Sequence, residues 1–299
     1  MKILILAGGS GQRLFPLTDP PKQFRTFGSK DSLLQLTLKR FLKRYPPHDI
    51  YILTSPNYAQ LASTQIADID PSLQLIVEPE PRNTAPAIAF ALETLGNALG
   101  NCFLIAPADH SISPDETLLD TIEAASKSHK SGTHTLFGII PSHPHCGYGY
   151  IQHISQLVTQ FIEKPEKKLA EELIEKGCLW NSGMALFDTE SLRNQLPNSV
   201  PSTSIDRLVL EHAPNLRVLP LNLAWSDLGT WEGIYDAFSK DQQGNVVFGS
   251  VELQDVDHCL VFSEGDRITL SGHSQQVVLI SREGEKSVMP LNTLVPVES

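Results

Sequence analysis

Short apolar runs recur along the chain, and most are followed by segments whose apolar residues return every three or four positions. The runs at 3–6, 50–54, 74–77, 102–106 and 135–140 have the length of buried strands. Behind Ser32, which can cap a helix, Leu34, Leu38, Phe41 and Leu42 share one helical face; Lys39, Arg40, Lys43 and Arg44 suit the negative end of its dipole, and Pro46 and Pro47 end it. Residues 87–95 predict an apolar helix with Asn83 or Thr84 as its cap, and 166–176 a charged surface helix closed by Gly177. Ile205, Leu208, Val209 and His212 fall on one face of a core helix beginning near 204–206. Strand alternating with helix predicts an α/β domain over residues 1–240, with a mostly parallel central sheet joined by crossover helices.

From Asp241 the texture changes. Gly244 and Asn245 mark a turn, and Val-, Leu- and Ile-rich runs follow at 246–253, 259–262, 267–270 and 277–280, separated by turns such as 264–266. This predicts a small β-rich domain over 241–299, too short to be a separate enzyme and suited to packing or to forming a homodimer.

With 299 residues the chain can bury a large core, and its net charge of −11 argues against nucleic acid as a general partner. A local basic pocket on an acidic body fits a small phosphorylated substrate. Cys102, Cys146, Cys178 and Cys259 show neither CxxC nor zinc spacing and read as buried free thiols of a reducing compartment. No apolar run has the length of a signal peptide or a membrane span, so no membrane partner and a cytoplasmic location are expected.

The candidate chemistry starts where the first strand ends. Gly8, Gly9 and Gly11 surround Ser10, and Arg13 and Lys22 follow. Glycines past a strand let backbone N–H groups meet an anion, since no Cβ intervenes. The loop reads as a phosphate cradle with a basic clamp, or as a glycine-rich turn with no ligand. A P-loop would need Gly-Lys-Ser/Thr, and a dinucleotide fingerprint a glycine where Leu14 stands. In parallel sheets ligands collect at the carboxyl ends of strands. There the chain places Glu78, Arg82 and Asn83 after one run and Asp109 and His110 after another. Glu78, in a rigid proline-set loop before a capped helix, offers two acceptor oxygens that could take a pair of adjacent N–H donors. Asp109 reads as a turn or cap residue or as an oxygen ligand for a hard cation, a task for which His110 is unsuited, so His110 reads as structural.

GGSGxRLxPLT followed by PKQF, then EPEPRNTAPA (78–87), PADH (107–110), GYGYI (147–151), FIEKP (161–165), WNSGM (180–184) and WSDLGTW (225–231), resemble the sugar-phosphate nucleotidyltransferases in the same order. Within them the likeness is to the mannose-1-phosphate guanylyltransferase group and covers about four-fifths of the chain. Gln12 and Phe15 depart from the Thr and Trp usual in that family, both beside the phosphate loop.

The resemblance implies a Rossmann-like nucleotidyltransferase domain with GTP and mannose 1-phosphate as substrates and Mg²⁺ as cofactor. Leu6, Ala7, Gly8, Gly9, Ser10, Gly11, Glu78, Arg82 and Asn83 would then contact the nucleotide. Arg13 and Lys22 would be catalytic, and Asp109 and Asp227 would hold the metal. Gly147, Glu163, Lys164 and Asn181 would hold the sugar phosphate. Without the resemblance, the glycines at 147 and 149 read as a bulged strand, residues 181–183 as a turn, and Asp206 and Glu211 as structural. The tail would be a short β-helix-like module, with no room for the isomerase domain of longer bifunctional members. The same chemistry on another nucleotide or hexose 1-phosphate, or a non-catalytic sugar-nucleotide-binding regulator, are the alternatives.

Overall fold

Among the described residues ten strands precede Ala224: β1 (Lys2–Leu6), β2 (Ile50–Thr54), β3 (Gln74–Val77), β4 (Cys102–Pro107), β5 (Ser111–Ser113), β6 (His134–Ile139), β7 (Tyr150–Ile154), β8 (Leu157–Ile162), β9 (Leu179–Asp188) and β10 (Leu216–Leu221). They belong to a computed structural model that describes residues 1–9, 14, 16 and 19–291. Its contacts cluster into two compact units. The first comprises Met1–Gly9, Thr37–Ala108 and Ile112–Ala224; the second comprises Ser10–Leu36, Asp109–Ser111 and Trp225–Ser299.

All of these strands except β5 form one nine-stranded sheet in the order β3-β2-β1-β4-β9-β6-β10-β8-β7. The β3-β2-β1-β4 half and the β6–β10 pair are parallel, as the strand–helix alternation predicts. The other neighbour pairs are antiparallel, so the sheet is mixed rather than mostly parallel. Two local causes account for this. Only residues 155 and 156 join β7 to β8, too few for a crossover, so the two form a hairpin. Strand β9 runs antiparallel to both β4 and β6, and it contains the segment 181–183 that reads as a turn in isolation. The turn-like residues are accommodated by a bulge: the register slips opposite Leu136 and Gly138, Gly183 adopts φ +71°, and the Ser182 hydroxyl donates to Phe137 O at 2.5 Å.

Helices α2 (Ala59–Ala67), α3 (Thr84–Leu95), α4 (Asp115–Lys127), α5 (Lys167–Glu175) and α6 (Thr189–Gln195) accompany this sheet, and α1 (Leu33–Leu42) carries chain from one unit into the other. The core joins Leu4, Phe103, Ile105, Leu136 and Phe187 from strands with Ile88 and Ala91 from α3. The helix expected from residue 204 is a five-residue π-helical turn, Asp206–Leu210, with Val209 and Leu210 buried. Hydrogen bonds continue the parallel half just past its strands: Ala7 N to Leu53 O at 2.8 Å, Glu78 N to Thr54 O at 2.9 Å, and Ala108 N to Leu6 O at 3.0 Å. That bonding gives Gly8, Ser55, Glu78 and Ala108 a common edge.

In the second unit, β11 (Ala224–Ser226) and α7 (Trp231–Ala237) precede β12 (Val246–Phe248), β13 (Val251–Asp257), β14 (Leu260–Ser263), β15 (Ile268–Ser274), β16 (Gln276–Ile280) and β17 (Lys286–Pro290). Successive strands alternate between two parallel ladders, β12-β14-β16 and β13-β15, as a β-helix-like coil does; β17 closes the first ladder antiparallel. Trp231 and Ile234 share a core with Phe27, Phe248, Leu260 and Phe262, so the change of texture at Asp241 falls inside this unit. None of the four cysteines is in a disulfide; Cys178 and Cys259 are buried, whereas Cys102 and Cys146 are only half-buried.

Candidate active site

The second unit gathers three of the sequence-predicted residues. Lys22 opens a short 3₁₀ turn, Lys22–Phe24, whose three side chains are buried. Its Nζ lies 2.8 Å from Asp109 Oδ2 and also donates to the main-chain carbonyl of Asp227. The Asp227 carboxylate is held by the N–H of Gly229, which donates to Oδ1 at 2.8 Å. His110 stands behind Asp109: its Nε2 is 3.7 Å from Asp109 Oδ1, and its Nδ1 accepts from the Trp225 indole at 3.3 Å. That places His110 as a brace for the carboxylate. Among the described residues no group of three or more His, Cys, Asp or Glu gathers to hold a metal. Ser10, Gly11 and Arg13 lie outside the described residues.

In the first unit the common strand edge carries Leu6, Ala7, Gly8 and Glu78. The Glu78 carboxylate approaches Gly8 so closely that a Cβ there would stand 3.0 Å from Oε1. Glu78 is only 5% exposed, and burial pushes its carboxyl up to about 7. Ser55, next to this approach, is buried, and among the described residues its hydroxyl has no partner. Arg82 and Asn83 have other attachments. Arg82 donates to Val200 O at 3.1 Å, and Asn83, at φ +79°, caps α3 by accepting from Thr84 N at 2.8 Å.

Three of the four predicted sugar-phosphate residues also meet in the first unit. Asn181 N donates to Gly149 O at 2.8 Å, and a Cβ on Gly149 would come within 2.8 Å of Glu163 Oε2. Lys164, exposed and at φ +44°, pairs with Glu163 at 3.2 Å. The Asn181 amide is already committed: Nδ2 donates to Asp206 Oδ1 at 3.0 Å and Oδ1 accepts from Gly183 N at 3.1 Å. Burial, with the Glu163 charge adding to it, raises the Asp206 carboxyl above the ordinary carboxylate range. Gly147 instead donates to His145 Nδ1 at 3.1 Å, and His145 stacks on Tyr148 at 3.8 Å between centroids.

The sequence profile described as Nucleotidyl transferase matches residues 2–244. The chain belongs to that family. Among the relatives of this nucleotidyl transferase is a mannose-1-phosphate guanylyltransferase of Salmonella montevideo, 32% identical over 97% of this chain and 70% of its own. Another is the alginate biosynthesis protein AlgA of Pseudomonas syringae pv. tomato, 31% identical over 94% of this chain and 67% of its own. Among solved structures, a Thermus thermophilus protein described as a mannose-1-phosphate geranyltransferase superposes with a TM-score of 0.87 at 27% identity, covering 97% of this chain and 95% of that one.

Two residues of this nucleotidyl transferase escape the motif reading. Ser55 has a signal, since it is the residue after a predicted strand, where site residues collect. Arg25 has none: buried just past the PKQF motif, it donates to Pro20 O at 2.7 Å and Asp19 O at 2.5 Å and pairs with Glu264. It thereby ties the segment before Lys22 to the β-rich region of the same unit. No helix among the described residues is long and apolar enough to cross a membrane.

Proposed function

We propose that this chain transfers a guanylyl group from GTP to mannose 1-phosphate, giving GDP-mannose and pyrophosphate. The observation that carries the guanine assignment is the buried Glu78 carboxylate at the strand edge beside Gly8, with the unpartnered Ser55 hydroxyl next to it. A carboxylate accepts from N1–H and N2–H together, and a hydroxyl supplies a further donor or acceptor. The relatives named mannose-1-phosphate guanylyltransferase support the sugar.

The attacking phosphate oxygen of the sugar is already anionic, so no general base is required: it bonds to the α-phosphorus as the bond to pyrophosphate breaks in line. Catalysis is then positioning and charge neutralisation. Lys22, fixed by Asp109 and the Asp227 carbonyl, would meet phosphate charge, and Arg13 would do so from the glycine loop. Two carboxylates with substrate phosphates are a donor set that suits Mg²⁺, and the Lys22 ammonium between Asp109 and Asp227 marks a place where this unit favours positive charge. Asp109 and Asp227 would hold Mg²⁺, which when bound neutralises charge around the α-phosphate. Glu163, which lies beside Gly149, would accept from sugar hydroxyls.

The test is pyrophosphate release over a panel of nucleoside triphosphates against hexose 1-phosphates. GTP with mannose 1-phosphate should give the highest catalytic efficiency. A different best pair would reassign the substrates, and no turnover with any pair, despite binding of sugar nucleotide, would make the chain a regulator.

A further inference from the structure

Asp206, which reads as structural in the sequence, holds a side chain that the motifs assign to the sugar phosphate. Its Oδ1 accepts from Asn181 Nδ2 at 3.0 Å, while Asn181 Oδ1 accepts from Gly183 N at 3.1 Å. The two bonds fix which way the amide points, because a flipped amide would set its own N–H groups against the Gly183 N–H. They use one hydrogen of Nδ2 and one lone pair of Oδ1. The second of each suits a hydroxyl, which both donates and accepts, and Asn181 is only half-buried. Its main chain is held too, with Asn181 N donating to Gly149 O at 2.8 Å, beside Glu163.

Asp206 is itself fixed from two sides. It opens the π-helical turn Asp206–Leu210, where its carbonyl accepts from Glu211 N at 2.9 Å; such turns are frequent at functional positions. On the other side, the segment leading into Asp206 is clasped by residues 82–85 of the EPEPRNTAPA stretch. Arg82 Nη2 donates to Val200 O at 3.1 Å, and the Ser202 hydroxyl donates to Arg82 O at 3.0 Å. Ala85 N donates to Thr203 O at 3.1 Å, and the Thr84 hydroxyl accepts from Ile205 N at 2.9 Å. The last of these bonds falls on the residue before Asp206.

We propose that Asp206 is a positioning residue for the sugar end of the reaction: it aims the Asn181 amide at a sugar hydroxyl, and Thr84 holds Asp206 in place. The stretch 78–87 then serves both substrates, with Glu78 at the base and Thr84, through Asp206, at the sugar. This rests on the transfer reading given above.

The test is a double-mutant cycle on the full chain, run with the nucleotide and hexose 1-phosphate that the unmodified chain uses best. Asn181→Ala and Asp206→Ala should each lower kcat/KM for the hexose 1-phosphate about tenfold, the scale of one hydrogen bond to a charged or buried group, and leave the KM for the nucleotide unchanged. Together they should cost about as much as Asn181→Ala alone, because Asp206 acts through that amide; independent roles would multiply to about a hundredfold. Asp206→Asn keeps an acceptor for Asn181 Nδ2 and should restore most of the efficiency. Thr84→Val, close in shape but with no acceptor for Ile205 N, should also lower efficiency for the hexose 1-phosphate alone, and it stands as the test if Asp206→Ala does not fold. The proposal is overturned if the two losses multiply, if the nucleotide KM rises in step, if Asp206→Asn is as impaired as Asp206→Ala, or if Thr84→Val leaves the efficiency unchanged. Failure of the transfer reading shows separately, as a different best pair or no turnover in the unmodified chain. With no turnover, the cycle is read from calorimetric binding of GDP-mannose against GDP, with the same expectations, and a chain that binds both equally overturns the proposal as well.

Discussion

The Lys22 ammonium lies 2.8 Å from Asp109 Oδ2 while it donates to the main-chain carbonyl of Asp227. One buried cation thus links three segments that are far apart in sequence. An ammonium is a compact point charge, and its exchange for a planar guanidinium changes the geometry. Lys22→Met should therefore lower turnover about 10²-fold or more, the scale of losing one preorganised charge-stabilising donor, and Lys22→Arg should recover little of it. Pyrophosphate release by folded variants checks this; full activity in Lys22→Met would reduce the residue to an ion-pair partner.

The two aspartates carry a separate expectation. Asp109→Ala and Asp227→Ala should each remove most turnover, while Asp109→Asn should keep the fold and require more Mg²⁺ for half-maximal rate. A titration of rate against Mg²⁺ reads both effects. Near-normal turnover in both alanine variants, with Mg²⁺ still required, would take the pair out of the site.

Among the described residues the buried Ser55 hydroxyl has no partner, which is costly unless a ligand satisfies it. Ser55→Ala should leave thermal stability unchanged or raise it, and should raise the KM for GTP about tenfold with little change in kcat. A lowered melting temperature with an unchanged KM would mark the hydroxyl as structural.

How much of this was legible follows from what each signal depends on. Strands β1 to β4 and their parallel sense are legible because apolar runs and helix-length spacers are local properties. Asp109 and Glu78 stand out as candidates because both follow such runs and lie in family-like motifs. Strand β9 was obscured because Asn181, Ser182 and Gly183 carry turn chemistry, which the fold absorbs as a bulge opposite Leu136 and Gly138. Arg25 was invisible for a different reason. Its worth depends on Asp19, Pro20 and Glu264, and only tertiary structure brings the last of these to it. Arg82 and Asn83, read as nucleotide neighbours from their motif, also hold Val200 and cap α3, roles that motif matching does not separate from binding.

The β-rich coil offers a stability prediction. Gly249 sits at φ +97°, and a Cβ there would be 2.2 Å from the carbonyl oxygen of Ser263. Both the backbone conformation and the clash oppose any side chain, so Gly249→Ala should cost about 2 kcal/mol or more. Denaturant unfolding should report it as a lower midpoint. Gly272→Ala, at φ +71° with open space around its Cβ, should cost less.

Glu78 joins specificity to pH. Its carboxyl has an ordinary value of 4.5, and burial raises it to about 7 in the folded chain. Below 4.5 both folded and unfolded chains hold the proton, so the group does not affect stability. Between 4.5 and about 7 the unfolded chain has released the proton while the folded one keeps it, so stability falls as pH rises and the loss is complete above about 7. Recognition runs the other way. Guanine's N1–H and N2–H need two acceptors, and a protonated carboxyl puts a donor in place of one of them. Catalytic efficiency with GTP should therefore rise through pH 7 as Glu78 ionises, with a smaller rise for ATP, whose N1 is an acceptor. At pH 8 the preference for GTP should be about tenfold to a few hundredfold from this contact, the cost of leaving one buried group unmatched. Glu78→Gln, with a single acceptor oxygen and no titration, should flatten both the preference and its pH dependence, and should remove the decline in stability between 4.5 and 7. The measurements are kcat/KM for GTP and ATP across pH 5.5 to 8.5 in both proteins, with melting curves alongside. An unchanged GTP-to-ATP ratio in Glu78→Gln would place base reading elsewhere, even if the stability change appears.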